Sequence, residues 1–161
     1  MLSFLWRTDL DAAMAQLDRA IEHSPNTPSL YATRGYVLSY LGEPARAVVD
    51  VAVALRLEPD APNIWLHFLG HAHYANGSCA EAAQVLEQRI RRQPNTDISH
   101  ALLAACYGHL GRSGEAQAAW RDLLQMNPDY SLVQKGRILP YRRPEDRQHV
   151  LDGLQKAGLG V

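Results

Sequence analysis

The side chains in this 161-residue sequence that could do chemistry are few, and they cluster. His67, His71 and His73 share one stretch, and His67 and His71 stand a helical turn apart, so both could face one metal ion. Two histidines make half a site. No Asp, Glu or Cys at suitable spacing adds a third ligand, and His73 points towards another side. A lining or packing role is expected for them, with no metal and no other cofactor. Cys79 sits near a helix start, a position that can lower a thiol pKa, but no base is placed beside it. Cys106, among Ala104, Ala105 and Tyr107, has the setting of an inert buried thiol. Ser99 with His100, and Ser113 near Glu115, fit helix capping. No nucleophile elbow or phosphate-binding glycine loop is present, and Gly108, Gly111 and Gly114 read as turn punctuation with no strand before them. A catalytic centre is not expected.

Composition narrows the classes further. The formal charge of −1 and pI near 6.6 give no bulk attraction to nucleic acid or to an anionic membrane. Two cysteines without CxxC spacing suit a reducing compartment. The first residues, MLSFLWRTD, lack the basic region and cleavage site of a signal peptide and are too short to span a membrane. A soluble, cytoplasmic protein is expected.

The elements that must position these side chains follow a repeat. Pro25, Pro59, Pro94 and Pro128 are spaced by 34, 35 and 34 residues. Turn glycines recur at Gly42, Gly77 and Gly111, with Ala47, Ala82 and Ala116 five residues after them and Gly35, Gly70 and Ala104 seven before. Each unit predicts two helices joined by a short turn, so consecutive helices run antiparallel. Helices are expected near 9–23, 28–41, 44–57, 62–75, 79–92, 96–110, 113–126 and 144–157. Thr8 or Asp9 should cap the first helix, and Ser78 with Glu81 should form a capping box. Another first helix begins at Tyr130 and is cut short by Pro140. The helix from Pro144 is expected to cover the apolar face left by the last repeat, with Gly158 as its stop. This divides the chain into a partial repeat (1–27), three hairpins (28–128) and a C-terminal capping segment (129–161). Because the chain starts midway through a unit, residues 1–6 act either as a makeshift cap or as the continuation of a longer parent.

These residues resemble the tetratricopeptide repeat, a helix–turn–helix unit of about 34 residues. The resemblance covers residues 10–128, with Tyr31, Leu66 and His100 at the usual first-helix aromatic position. It implies an all-α, right-handed superhelical solenoid whose first helices line a concave groove. In that register the peptide-binding positions are Tyr36, Ser39, Tyr40, His67, His71, Tyr74 and His109, whose apolar bodies and polar tips suit reversible contact. The Lys and Asn positions that clamp a terminal carboxylate in chaperone-binding relatives are not matched. The tail is similar to the C-termini of bacterial proteins in which a nucleotide cyclase or DNA-binding regulator precedes such repeats. The matching pieces are Leu139-Pro140-Tyr141, Pro144 with Asp146, and Leu151-Asp152-Gly153-Leu154 followed by Lys156-Ala157-Gly158-Leu159. Its charges, Lys135, Arg137, Arg142, Arg143 and Arg147 against Glu145 and Asp146, are expected to form a solvated surface.

The leading expectation is a non-catalytic module that binds a peptide or partner domain in its groove, within a bacterial signalling assembly. The rivals are the regulatory C-terminal part of a nucleotide cyclase, and a homo-oligomerisation module that uses residues 2–6.

Overall fold

The computed structural model of the chain describes residues 9–132, 134 and 139–160. The capping candidate Thr8, the apolar residues 2–6 and the charges Lys135 and Arg137 lie outside those residues, as does most of the helix expected after Tyr130. Among the described residues there are eight α-helices: α1 (Leu10–His23), α2 (Pro28–Leu41), α3 (Pro44–Leu57), α4 (Ile64–Ala75), α5 (Cys79–Arg92), α6 (Asp97–His109), α7 (Ser113–Met126) and α8 (Pro144–Lys156). None is long and apolar enough to cross a membrane.

The helix ends follow from the chain's turn chemistry. Asp9 caps α1, its carboxylate accepting from the Asp11 N–H at 2.9 Å. Pro28, Pro44 and Pro144 occupy first turns, where a missing N–H costs no helical bond. Within each hairpin the turn repeats one geometry. Gly42, Gly77 and Gly111 take φ of 81°, 79° and 73°. The residue after each glycine then donates its N–H five residues back: Glu43 to Leu38, Ser78 to His73, and Arg112 to Tyr107, at 2.8–3.0 Å. Those bonds satisfy carbonyls that a helix end would otherwise leave open. Three capping expectations fail. Ser78 stands at the N-cap of α5 but makes no side-chain capping bond, and the N-caps of α6 and α7 are Thr96 and Arg112, also without one, in place of the expected Ser99 and Ser113. Glu115 pairs with Arg112 instead.

Packing is hairpin by hairpin: α2 on α3, α4 on α5 and α6 on α7, with α3 against α4 and α5 against α6 joining them. The small residues of the repeat sit at the closest approaches. A Cβ on Gly35 would stand 2.5 Å from Val51 Cγ2 and 3.0 Å from the Ala47 carbonyl, and one on Gly70 would stand 2.7 Å from Leu86 Cγ. Ala47, Ala82, Ala104 and Ala116 are fully buried. Arg34 on α2 ties α1 to the first hairpin, reaching Asp50 with two nitrogens (2.6 and 3.0 Å) and Asp18 with a third (2.9 Å).

The C-terminal helix departs from its expected place. It does pack on α6, the first helix of the last hairpin. The segment leading into it runs further, back to the N-terminal half of the chain: Arg142 donates its backbone N–H to the Tyr40 carbonyl (2.9 Å) and pairs with Asp11 (2.7 Å). Residues 139–156 therefore cross the C-terminal halves of α2, α4 and α6. Val150, Leu154 and Ala157 join the apolar cluster of the later hairpins, while Leu139 and Tyr141 pack on that of the earlier ones.

Because Ala104 is fully buried at the centre of its hairpin, Ala104→Leu should destabilise the chain by about 1–3 kcal/mol through overpacking, read as a lowered urea midpoint with unchanged m-value.

Candidate interaction face

The first helices bring most of the expected groove residues to one face, but that face is covered. Tyr36 is 5% exposed, Tyr40 4%, His71 3% and Tyr74 2%; all had been expected at the surface of an open groove. The cover is the chain's own residues 139–156. Nothing in the local pattern of α2 or α4 signals a partner about 100 residues downstream of the first and 70 downstream of the second.

At one end, Tyr40 packs its ring against Tyr141 and against His71, both with centroids 4.8 Å away, and Tyr141 shares a hydrogen bond with His71 Nε2 (2.9 Å). Tyr36 stands behind this group, its hydroxyl 3.0 Å from that of Tyr40 and its ring stacked on Phe68 at 4.2 Å. In the middle, Tyr74 donates its hydroxyl to the His149 carbonyl (2.9 Å). The His109 ring stacks on His149 at 4.1 Å. His109 Nε2 lies 2.9 Å from the same carbonyl, and its Nδ1 lies 3.3 Å from the Lys156 amine. At the far end α8 crosses α6 glycine to glycine: a Cβ on Gly108 would fall 1.7 Å from the Gly153 carbonyl oxygen, and one on Gly153 would fall 2.6 Å from the Ala105 carbonyl oxygen. Gln117 of α7 donates to the Ala157 carbonyl (3.1 Å).

Two expected groove residues also bond away from the segment. Ser39 is completely buried and donates its hydroxyl to the Gly35 carbonyl in its own helix (3.1 Å). His67 faces Ser99, 3.0 Å from its hydroxyl, and Arg89 of α5 donates to that same hydroxyl. Ser99 is thus a buried link between α4, α5 and α6, not the capping residue expected from its neighbours. His100 instead bonds the Thr96 carbonyl (2.8 Å). Sequence reasoning also missed Tyr141, Arg142 and His149 as contact residues, although Tyr141 and Gly153 stood in the tail pattern it singled out.

Burial sets the electrostatics. It pushes His67 well below the ordinary imidazole range, with further lowering from His71 and Arg89. Burial takes His71 down to about 4, against a smaller opposing pull from Asp146. These rings are neutral near pH 7. Burial pushes Cys79 up, so its helix-start position does not activate it, and Cys106 is raised well above the ordinary thiol value for the same reason. Among the described residues, no group of three or more His, Cys, Asp or Glu side chains could hold a metal ion. Where the C-terminal segment meets the face lies a cavity of about 210 Å³, partly open to solvent, lined by Tyr40, His67, His71 and Leu102 of the face, by Tyr141, Val150 and Leu151 of the segment, and by Tyr130 and Leu132.

The same arrangement of paired helices occurs in known structures. The solved structure of MamA matches 92% of this chain and 86% of its own, with a TM-score of 0.68 and 19% identity. YrrB, described as a TPR protein with an unusual peptide-binding site, matches 92% of this chain and 76% of its own, with a TM-score of 0.63 and 21% identity. This is a tetratricopeptide-repeat fold. In sequence, the chain is 27% identical over 110 residues to small glutamine-rich tetratricopeptide repeat-containing protein 2 of Mycosarcoma maydis, covering 68% of the chain and 31% of that protein. It is 26% identical over 132 residues to tetratricopeptide repeat protein 13 of Homo sapiens, covering 82% of the chain and 15% of that protein. The chain therefore spans about a third or less of these curated relatives. No family profile matches it. Nothing in these comparisons supports a cyclase-type origin for the tail.

Two measurements check the site. Ser99→Ala leaves His67 Nδ1 and Arg89 without their shared partner, so it should cost about 1–3 kcal/mol, seen as a lower denaturation midpoint. His71 contributes its full stabilisation above its unfolded value of 6.5, where it is neutral in both states. As pH falls towards about 4, the unfolded chain takes up a proton that the folded chain refuses, and stability drains across that window. The loss is on the order of 3 kcal/mol. The melting temperature of His71→Gln should accordingly fall less between pH 7 and pH 4 than that of the unaltered chain; parallel slopes would contradict this.

Proposed function

We propose that this chain is a non-catalytic protein-interaction module that takes a polypeptide segment of a partner on the face formed by α2, α4 and α6. One observation carries the reading: that face already holds a polypeptide segment, the chain's own, through ring contacts, a buried hydroxyl–imidazole bond and bonds to its main chain. Tyr36, Tyr40, His67, His71, Tyr74 and His109 form the floor of the site, with Ser39 supporting it from within α2. YrrB, a protein of this fold, has a peptide-binding site. The buried rings and the Ser99 link serve packing, so neither a cofactor nor a bound metal enters this reading. A cytoplasmic setting in a bacterial signalling protein belongs to the same proposal and rests on the tail's sequence resemblance. Self-association through residues 2–6 is a separate reading, and those residues lie outside the described ones.

A photo-crosslinking residue tests the face directly, because alanine at the buried tyrosines would mix binding with folding. Placed at Ile98 or His109, on the first-helix side, it should trap a partner polypeptide from lysate of the source organism. Placed at Val49 or Arg91, exposed on α3 and α5, it should not. Trapping confined to the second pair would overturn the assignment.

A further inference from the structure

The C-terminal segment is packed well enough to cover the face and poorly enough to leave part of it unmatched. The cavity of about 210 Å³ lies between segment and face. Beside it, His71 has a buried Nδ1 with no hydrogen-bond partner, although its Nε2 meets Tyr141. The cavity is partly open to solvent, so the segment covers the face without sealing it, and His71 Nδ1 finds no partner on either side. Polar bonds also hold the segment's N-terminal end. Arg142 meets Asp11 where both side chains are largely open to water, and such pairs are weak. Arg143 is turned onto its own helix, bidentate with Asp146 (2.8 and 2.9 Å), while its guanidinium lies over Gly42.

We infer that residues 139–156 are a resident, displaceable ligand of the concave face, and that the partner is a polypeptide segment of the same chemistry. Resting on the interaction reading above, the inference adds what the partner carries and what it must remove. The partner presents an aromatic ring with a hydrogen-bonding tip to the Tyr40–His71 pair and a cation to the acidic corner at Asp11. An amphipathic helix follows, with glycine or another very small residue where it crosses Gly108. A side chain larger than Leu139 or Val150 that fills the void would outcompete the resident segment. Three pieces of the tail pattern find a use here: Tyr141 meets His71, Asp146 holds Arg143 over Gly42, and Gly153 permits the crossing of α6.

A fluorescent peptide with the sequence of residues 139–156 tests the idea on the full-length chain. In Gly153→Leu the new side chain meets the Ala105 carbonyl, so the segment is pushed from the face while α2, α4 and α6 keep every residue. The peptide should bind this variant about tenfold or more tighter than the unaltered chain, in which the closed fraction lowers apparent affinity. The same peptide carrying Gly153→Leu should lose binding to the variant. Tyr141→Ala combined with Arg142→Ala gives a second opened chain that spares the glycine crossing, and circular dichroism confirms that each variant is helical. Equal peptide affinity for folded opened and unaltered chains would overturn the inference, as would no binding to either opened chain. Neither result touches the interaction module itself, which stands or falls on trapping at Ile98 and His109.

Discussion

The structure depends on how closely two helices of one hairpin can approach. Gly35 against Val51 and Gly70 against Leu86 leave no room for a single carbon, and Ala104 and Ala116 close the third hairpin in the same way. That spacing sets where every other side chain of α2, α4 and α6 can point. With the inner side of each first helix pressed on its partner, residues such as Tyr40, His71 and Tyr74 are carried to the opposite side, where they form a continuous aromatic floor. The turn glycines serve the same end, since their positive φ reverses the chain quickly enough for the pairs to begin in register.

Large aromatic and imidazole side chains on that floor would expose considerable apolar area to water. Folding the tail over them removes it, and the two larger apolar clusters of the hairpins become joined through one segment. The cover is of uneven quality. Leu154 and Ala157 are buried as well as any core residue, whereas Tyr141 borders the partly open cavity and Arg142 and Arg143 beside it are exposed. Tight at one end and loose at the other, the segment has a direction in which it could peel.

Much of the fold was legible because its constraints are local and periodic. Small residues at Gly35, Gly70 and Ala104, glycines at the turns and prolines at helix starts each have a reason within one 34-residue unit, and the helix bounds differ from expectation by two residues or fewer. The face was legible as a direction: Tyr36, Tyr40, His71, Tyr74 and His109 do gather on it. Its exposure was not, because it is decided by contacts such as Tyr74 with His149 that span 75 positions and leave no trace in helical spacing. Ser99 shows the same limit on a smaller scale. A serine close to a helix start looks like a cap, and only the arrival of His67 and Arg89 from other helices gives its hydroxyl a different use.

The backbone bond from Arg142 to Tyr40 has a consequence in time. Its two ends are about 100 residues apart, and a ribosome adds roughly 5–20 residues each second. Once α2 through α4 have emerged and paired, the aromatic floor waits on the order of seconds before the segment that covers it exists. During that interval the nascent chain presents the face bare, and anything that recognises it has its least contested access then.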